Sequence, residues 1–114
     1  MRSRSSRRRT MSRCRSCEPV AREVRLAADL LERRWLLQMI VAAHSGAVRF
    51  NEFGSSVVGI SPRMLSSRLR DLERAGIIAR TVIPDSPPGV EYRLTERGRA
   101  LGPLVDALRR YAAV

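Results

Sequence analysis

Several scarcities restrict what this chain can be. It contains no lysine, two cysteines and one histidine in 114 residues. No apolar run approaches the ~18 residues that a membrane-spanning helix needs, which excludes a helical membrane protein. A zinc site needs about four ligands, and Cys14, Cys17 and His44 are too few without carboxylates or a second subunit. We therefore expect no metal and no other cofactor. The chain also lacks a glycine-rich phosphate loop and a nucleophile–base pair, which argues against an enzyme.

The absence of lysine leaves arginine as the source of all basic charge. The formal net charge is +11, with 22 arginines against 11 acidic residues. Seven of the arginines and none of the acids lie in residues 1–16. We predict that residues 1–16 are a disordered Arg/Ser-rich tail and that residues 17–114 form one folded domain. The tail has no apolar segment of the secretory type, so we expect a cytoplasmic, nucleoid-associated protein without a membrane partner.

Apolar residues recur every three or four positions ahead of residue 60, as at Val20, Val24, Ala27 and Leu31. This spacing is typical of helices with one buried face. The pattern predicts three helices, over residues 19–31, 34–44 and 49–56.

A fourth helix is predicted to begin at Ser61, because serine is a good N-cap and Pro62 suits the first helical position. Three leucines, Leu65, Leu69 and Leu72, fall on one face of this helix. The face opposite these leucines is polar and basic, and it carries Arg63, Ser67, Arg70 and Arg74. Exposed charges usually mark only a solvated helix face, so the elements around this helix decide whether the face binds a ligand.

A hairpin and a last helical region follow. The sequence predicts a strand over residues 77–83, a tight loop over 84–89 (PDSPPG) and a second strand over 90–94. Thr95 caps the last helical region, which Pro103 is expected to kink or split. The apolar face of that region covers either the domain's own core or a partner subunit.

This order of elements is that of a winged helix-turn-helix, a mainly α fold with a small β-hairpin wing. In such a fold the fourth helix enters the major groove of double-stranded DNA. We expect Arg63 and Ser67, flanked by Ser66, to contact base edges, which would make the protein a sequence-specific transcriptional regulator. The residues expected to bind phosphates are Arg70, Arg49 and Arg80.

The same segments resemble the HxlR-type family of bacterial winged-helix regulators. The resemblance covers roughly residues 17–113 and rests on three segments: RRWLLQMI, RFNEF at 49–53 and GISPRMLSSRLRDLERAGIIARTVIPDSPPGVEYRLTERGRAL at 59–101. The positions that match the family's recognition helix are Ser61, Pro62, Arg63, Ser66, Ser67 and Arg70. Those that match its wing are Pro87, Pro88, Val90, Glu91 and Tyr92.

The resemblance implies a homodimer held by its first and last helices, and a response to oxidants or reactive electrophiles. The residues expected at the dimer interface are Val20, Val24, Leu101, Leu104, Val105 and Leu108.

Two departures from the family pattern matter. Gly89 stands where a basic residue is common, so Arg80 or Arg93 would have to replace that residue at the wing. The family's Gly-Gly-Lys-Trp is here Glu32-Arg33-Arg34-Trp35, which is expected to lengthen helix one or alter its joint with helix two.

Cys14 and Cys17 precede the first helix among arginines that favour the thiolate. They are either a redox-sensing pair or two unreactive tail cysteines. The family resemblance favours the first, since many relatives carry a sensing cysteine near this point, and Cys17 is the better match to it. A small-molecule effector in the dimer interface is a further open hypothesis. Two alternatives to a specific regulator also stay open. One is a nonspecific basic nucleic-acid-binding protein, nucleoid- or RNA-associated, and the other is an interaction adaptor that has lost DNA recognition.

Overall fold

A computed structural model describes residues 17–84 and 87–114 of the chain. The predicted fold class, mainly helical with one two-stranded hairpin, is confirmed over these ranges. The predictions for residues 1–16, Cys14 among them, and for positions 85 and 86 of the loop lie outside the described residues. The elements are α1 (Arg22–Leu31), α2 (Leu36–His44), α3 (Phe50–Ser56), α4 (Pro62–Arg74), β1 (Ile78–Ile83), β2 (Gly89–Leu94), α5 (Glu96–Arg99) and α6 (Gly102–Ala112).

The joint between α1 and α2 is a tight corner at Trp35. This residue has a φ of 75°, in the left-handed region, and precedes the first residue of α2. The Arg34 guanidinium lies 4.5 Å from the centroid of the Trp35 ring, a cation–π contact. The ring also reaches the turn at Gly59, where an added Cβ would lie 3.6 Å from Trp35 Cη2. Because α1 ends at Leu31, the departure from the family motif does not lengthen the first helix.

The core forms where α2, α3 and α4 meet the hairpin. Phe53 of α3 is fully buried and meets Tyr92 of β2 edge to face, with the ring centroids 6.4 Å apart. One packed core therefore supports both α4 and the hairpin. The other large, fully buried side chains are Leu36, Met39, Ile40, Val57, Leu65, Leu69, Leu72, Ile78 and Val105.

α4 begins where the sequence predicts it to begin. The Ser61 hydroxyl accepts a hydrogen bond from the Met64 backbone N–H at 3.1 Å, and Pro62 occupies the first turn. Gly76, with a φ of 76°, follows the helix and turns the chain into β1. Local sequence signals therefore set both ends of this helix.

The hairpin is a regular antiparallel pair, from Ile78 opposite Leu94 to Ile83 opposite Gly89. Gly89 was predicted to belong to the loop, but it is the first residue of β2 because it pairs with Ile83. The Tyr92 backbone N–H donates to the Val48 carbonyl at 2.7 Å. This bond ties β2 to the segment that precedes α3.

Pro103 splits the last helical region in two, as predicted. Thr95 caps the short helix α5, since its hydroxyl accepts from the Gly98 backbone N–H at 3.0 Å. Pro103 then lies in the first turn of α6, which packs on α2. Val105 of α6 was expected at the dimer interface, and this prediction is wrong because its side chain is fully buried in the core of a single protomer. Within the described ranges, none of the helices is long and apolar enough to span a membrane.

Candidate nucleic-acid interface

One side of α4 is buried and the other is exposed. Its three leucines enter the core, whereas Arg63, Arg70 and Arg74 are exposed. Ser67 is half-buried. Since the Ser61 cap fixes the first turn, Arg63 is presented close to the helix N-terminus. This is the orientation in which a recognition helix meets base edges.

A cleft of about 330 Å³ lies between α4 and the hairpin. Ser66, Arg70 and Glu73 line it from the helix, and Arg80 and Tyr92 line it from the two strands. Arg80 and Tyr92 are partners in the hairpin register. The cleft therefore brings together three of the residues predicted to contact DNA, although they come from separate elements.

Arg49 belongs to a different part of this surface. It immediately precedes α3, and its Nη2 lies 3.4 Å from Glu91 Oε2 of β2. Glu91 also accepts a hydrogen bond from Arg93 Nε at 2.9 Å. Arg49 is therefore placed at the hairpin strand and does not line the cleft.

Glu52 fixes the backbone that carries Arg49. Its Oε1 accepts hydrogen bonds from the backbone N–H of Val48 at 2.9 Å and of Arg49 at 2.8 Å. These bonds, that from Val48 first, hold the pKa of the Glu52 carboxyl below its usual value. The carboxylate thus stays charged and keeps the turn ahead of α3 in place.

The sequence did not predict an ion-pair cluster that Asp71 of α4 forms with Arg33 and Arg68. Asp71 has a side chain only 9% exposed, and it lies 3.0 Å from Arg33 and 2.5 Å from Arg68. Arg68 Nε also donates to the Arg34 carbonyl at 2.9 Å. Arg68 is therefore directed to the corner between α1 and α2 and not to the exposed stripe. The only sequence signal was its spacing of three from Asp71, which suits a helical ion pair.

The remaining predicted residues lie apart from this surface. The candidate interface residues Val20, Val24, Leu104 and Leu108 are exposed, and Leu101 is half-buried. Cys17 is exposed ahead of α1. His44 ends α2, with Nε2 3.1 Å from the Gly98 carbonyl oxygen. Residues 17–84 and 87–114 hold no group of three or more His, Cys, Asp or Glu that could bind a metal ion.

A serine-capped helix with exposed arginines, set beside a hairpin by a shared core, defines a winged helix-turn-helix of the kind that transcriptional regulators use to bind DNA. Residues 30–114 match the HxlR-like helix-turn-helix family. The chain belongs to this family, which confirms the resemblance found in the sequence, and it is a helix-turn-helix transcriptional regulator. Regulators of this family are not enzymes.

Similar proteins come from Bacillus subtilis strain 168. The uncharacterized HTH-type transcriptional regulator YvaP is 37% identical over 86 residues, which are 75% of this chain and 80% of YvaP. The HTH-type transcriptional regulator YodB is also 37% identical over 86 residues, 75% of this chain and 77% of YodB.

Solved structures agree with these sequence matches. The reduced form of YodB has a TM-score of 0.73 at 34% identity and covers 82% of this chain and 92% of that one. The redox regulator HypR in its oxidized form has a TM-score of 0.73 at 37% identity and covers 80% of this chain and 94% of that one. The fold is therefore shared with two regulators for which a redox state is described.

Proposed function

We propose that this regulator binds one specific double-stranded DNA sequence as a homodimer and that oxidants change its affinity for that DNA. The observation that carries the proposal is the exposed first turn of α4 beside a cleft that holds two arginines. Because its target is chromosomal DNA, we place the protein in the cytoplasm, associated with the nucleoid.

Arg63 and Ser67 are assigned to base edges, with Ser66 beside them. An arginine near the start of a recognition helix can donate two hydrogen bonds to the O6 and N7 atoms of guanine in the major groove. Ser61 and Pro62 set the direction of that first turn. Arg70, Arg80 and Arg49 are assigned to phosphates, which position the domain without reading sequence.

The direct test is the affinity of the reduced protein for the DNA upstream of its own coding region, compared with a scrambled duplex over a range of salt concentrations. Cognate binding tighter by ~10³-fold or more would support specific regulation. Equal binding to both duplexes would reject specificity for that DNA. If deletion of residues 1–16 then abolished binding, the nonspecific, tail-driven protein would be the better interpretation.

Replacement of Arg63 by alanine is expected to weaken cognate binding by roughly 5- to 150-fold, because a bidentate contact to one base is lost. Binding to the scrambled duplex should change much less. Fluorescence anisotropy with labelled duplexes measures both affinities. Arg74→Ala, at the far end of the same helix, is the matched control and should leave the cognate preference unchanged. An equal loss on both duplexes would remove Arg63 from base recognition.

The homodimer is supported by apolar side chains at the surface of α1 and α6. Val24 of α1 and Leu104 and Leu108 of α6 are exposed in the single chain, together with Val20 just ahead of α1. A two-fold symmetric dimer would present two copies of α4 to successive major grooves, ~34 Å apart along the duplex. Sedimentation equilibrium of the purified protein tests this state, and a monomer at micromolar concentration would contradict it.

Oxidation is expected to change DNA affinity through Cys14 and Cys17. Two thiols that form one disulfide, within or between subunits, lose two protons and two electrons to the oxidant. Because the pair precedes α1, making or breaking this bond would alter the packing of α1 and so the spacing of the two recognition helices. Diamide treatment should shift the affinity of the wild type but not that of the Cys14→Ser/Cys17→Ser variant. An unchanged affinity after the thiols are shown to be consumed would refute the redox response.

A further inference from the structure

Gly89, the first residue of β2, has no side chain, and the side chain of Arg49 occupies the space that a Cβ would fill. A Cβ built on Gly89 would overlap Nη1 of Arg49 and lie 3.5 Å from its Cζ. Arg49 can therefore lie against β2 in this way only because residue 89 is glycine. Gly89 has no positive φ, so backbone conformation is not the reason for a glycine here.

Glu91 holds the guanidinium over this position. Alternate residues of a strand share one face, so Gly89, Glu91 and Arg93 lie along the same side of β2. The Glu91 carboxylate is shared by Arg49 at 3.4 Å and Arg93 at 2.9 Å. The carboxylate side chain is 16% exposed, whereas the two arginines are 46% and 62% exposed. The guanidinium groups, rather than the carboxylate, thus form the accessible surface.

The backbone beneath Arg49 is also fixed. The Val48 carbonyl accepts from the Tyr92 N–H of β2, and the Glu52 carboxylate accepts from the N–H groups of Val48 and Arg49. The backbone of Arg49 is therefore held in place by hydrogen bonds, and its side chain lies against β2. An arginine held in this way loses less conformational entropy when it binds a ligand.

We propose that Arg49 and Arg93 form a two-arginine clamp for one DNA phosphate on the hairpin side of the interface, and that Gly89 and Glu91 are its positioning residues. Two guanidinium groups around one carboxylate carry a net charge of one, and guanidinium groups bind phosphate oxygens through paired, charge-assisted hydrogen bonds. The clamp rests on the proposed DNA binding, and it adds a defined phosphate site to it. It also explains how a glycine can stand at this wing position without loss of the positive charge.

Gly89→Ala is the sharpest test because it changes no charge. The new Cβ meets only the flexible end of Arg49, so the side chain has to move while the strand need not. Affinity for cognate and scrambled duplexes should fall by about tenfold, the effect of one charge-assisted contact. Arg49→Ala should cause a similar loss, with the salt slope reduced by roughly 0.9. In the Gly89→Ala/Arg49→Ala double variant no further loss is expected.

Gly54→Ala is the matched control, since its Cβ would make only an ordinary 3.5 Å contact with Leu65 and should not change DNA binding. Wild-type affinity for Gly89→Ala, or losses that add in the double variant, would overturn the clamp. If Gly89→Ala fails to fold, a double-mutant cycle of Arg49→Ala and Arg93→Ala tests the clamp instead. Two arginines that bind one phosphate should lose DNA affinity non-additively, and additive losses would overturn the clamp. A wild type that binds no duplex would instead reject the proposed function itself.

Discussion

Replacement of Asp71 by alanine is expected to lower the free energy of unfolding by about 3 kcal/mol, because two arginines lose the carboxylate they share. Most of this loss is assigned to Arg68, whose side chain is 18% exposed, since Arg33 is 50% exposed and water already screens its charge. Urea denaturation followed by circular dichroism measures the change. Affinity for DNA should fall as well, because the cluster ties α4 to the corner that follows α1.

Asp106→Ala is the matched control for this variant. Asp106 also pairs with an arginine, Arg109, at 3.6 Å and a spacing of three residues, but both side chains are exposed. Its loss should change the free energy of unfolding by less than about 0.5 kcal/mol. Similar effects of the two substitutions would mean that the Asp71 cluster contributes no more than a surface ion pair.

Replacement of Gly98 by alanine is expected to destabilise the protein by about 2 to 3 kcal/mol, which corresponds to a fall in melting temperature of roughly 10 to 20 °C. The new Cβ would overlap the Ile77 carbonyl oxygen and lie 2.9 Å from Leu94 Cδ2. The Ile77 oxygen cannot easily withdraw, because it accepts hydrogen bonds from the Thr95 backbone N–H at 3.0 Å and the Thr95 hydroxyl at 3.2 Å. Thermal unfolding followed by circular dichroism measures the loss.

Gly102→Ala provides the comparison. It lies in the first turn of α6, and beyond its chain neighbours and its own helix its Cβ would find no atom closer than His44 Cε1 at 3.8 Å. Alanine favours helix more than glycine does, but the Pro103 ring crowds the Cβ of a helical residue that precedes it. The two effects oppose each other, so this variant should stay within about 1 kcal/mol of the wild type in stability. Equal melting temperatures for the two variants would show that α5 moves away from β1 without cost.

The elements that the sequence predicted well are those with local causes. Ser61 and Pro62 mark the start of α4 because a hydroxyl cap and a fixed φ act within one helical turn. Pro103 separates α5 from α6 for the same kind of reason, since it cannot donate a backbone hydrogen bond inside a helix. The exposed arginines of α4 followed from its periodicity, because the three leucines opposite them had to face the core.

The features that could not be predicted depend on residues far apart in the chain. Asp71 and Arg33 are neighbours only because the corner at Trp35 returns the chain towards α4. Val105 has the pattern of a partner-facing residue, and only the packing of α6 on α2 shows that it is buried. From the sequence, Gly89 indicated that the wing lacks a positive charge at this position. The residues next to it give no sign that the Arg49 side chain occupies the space above it.

The corner between α1 and α2 has a practical consequence for measurement. Trp35 is the one tryptophan in the sequence, and its ring lies under the Arg34 guanidinium and against the turn at Gly59. The same corner supplies Arg33 and the Arg34 carbonyl to the Asp71 cluster on α4. Indole emission depends on the charge and polarity around the ring. The chain therefore carries an intrinsic optical reporter at the junction between the segment with the cysteines and the helix proposed to meet DNA, and this reporter can be followed without an attached label.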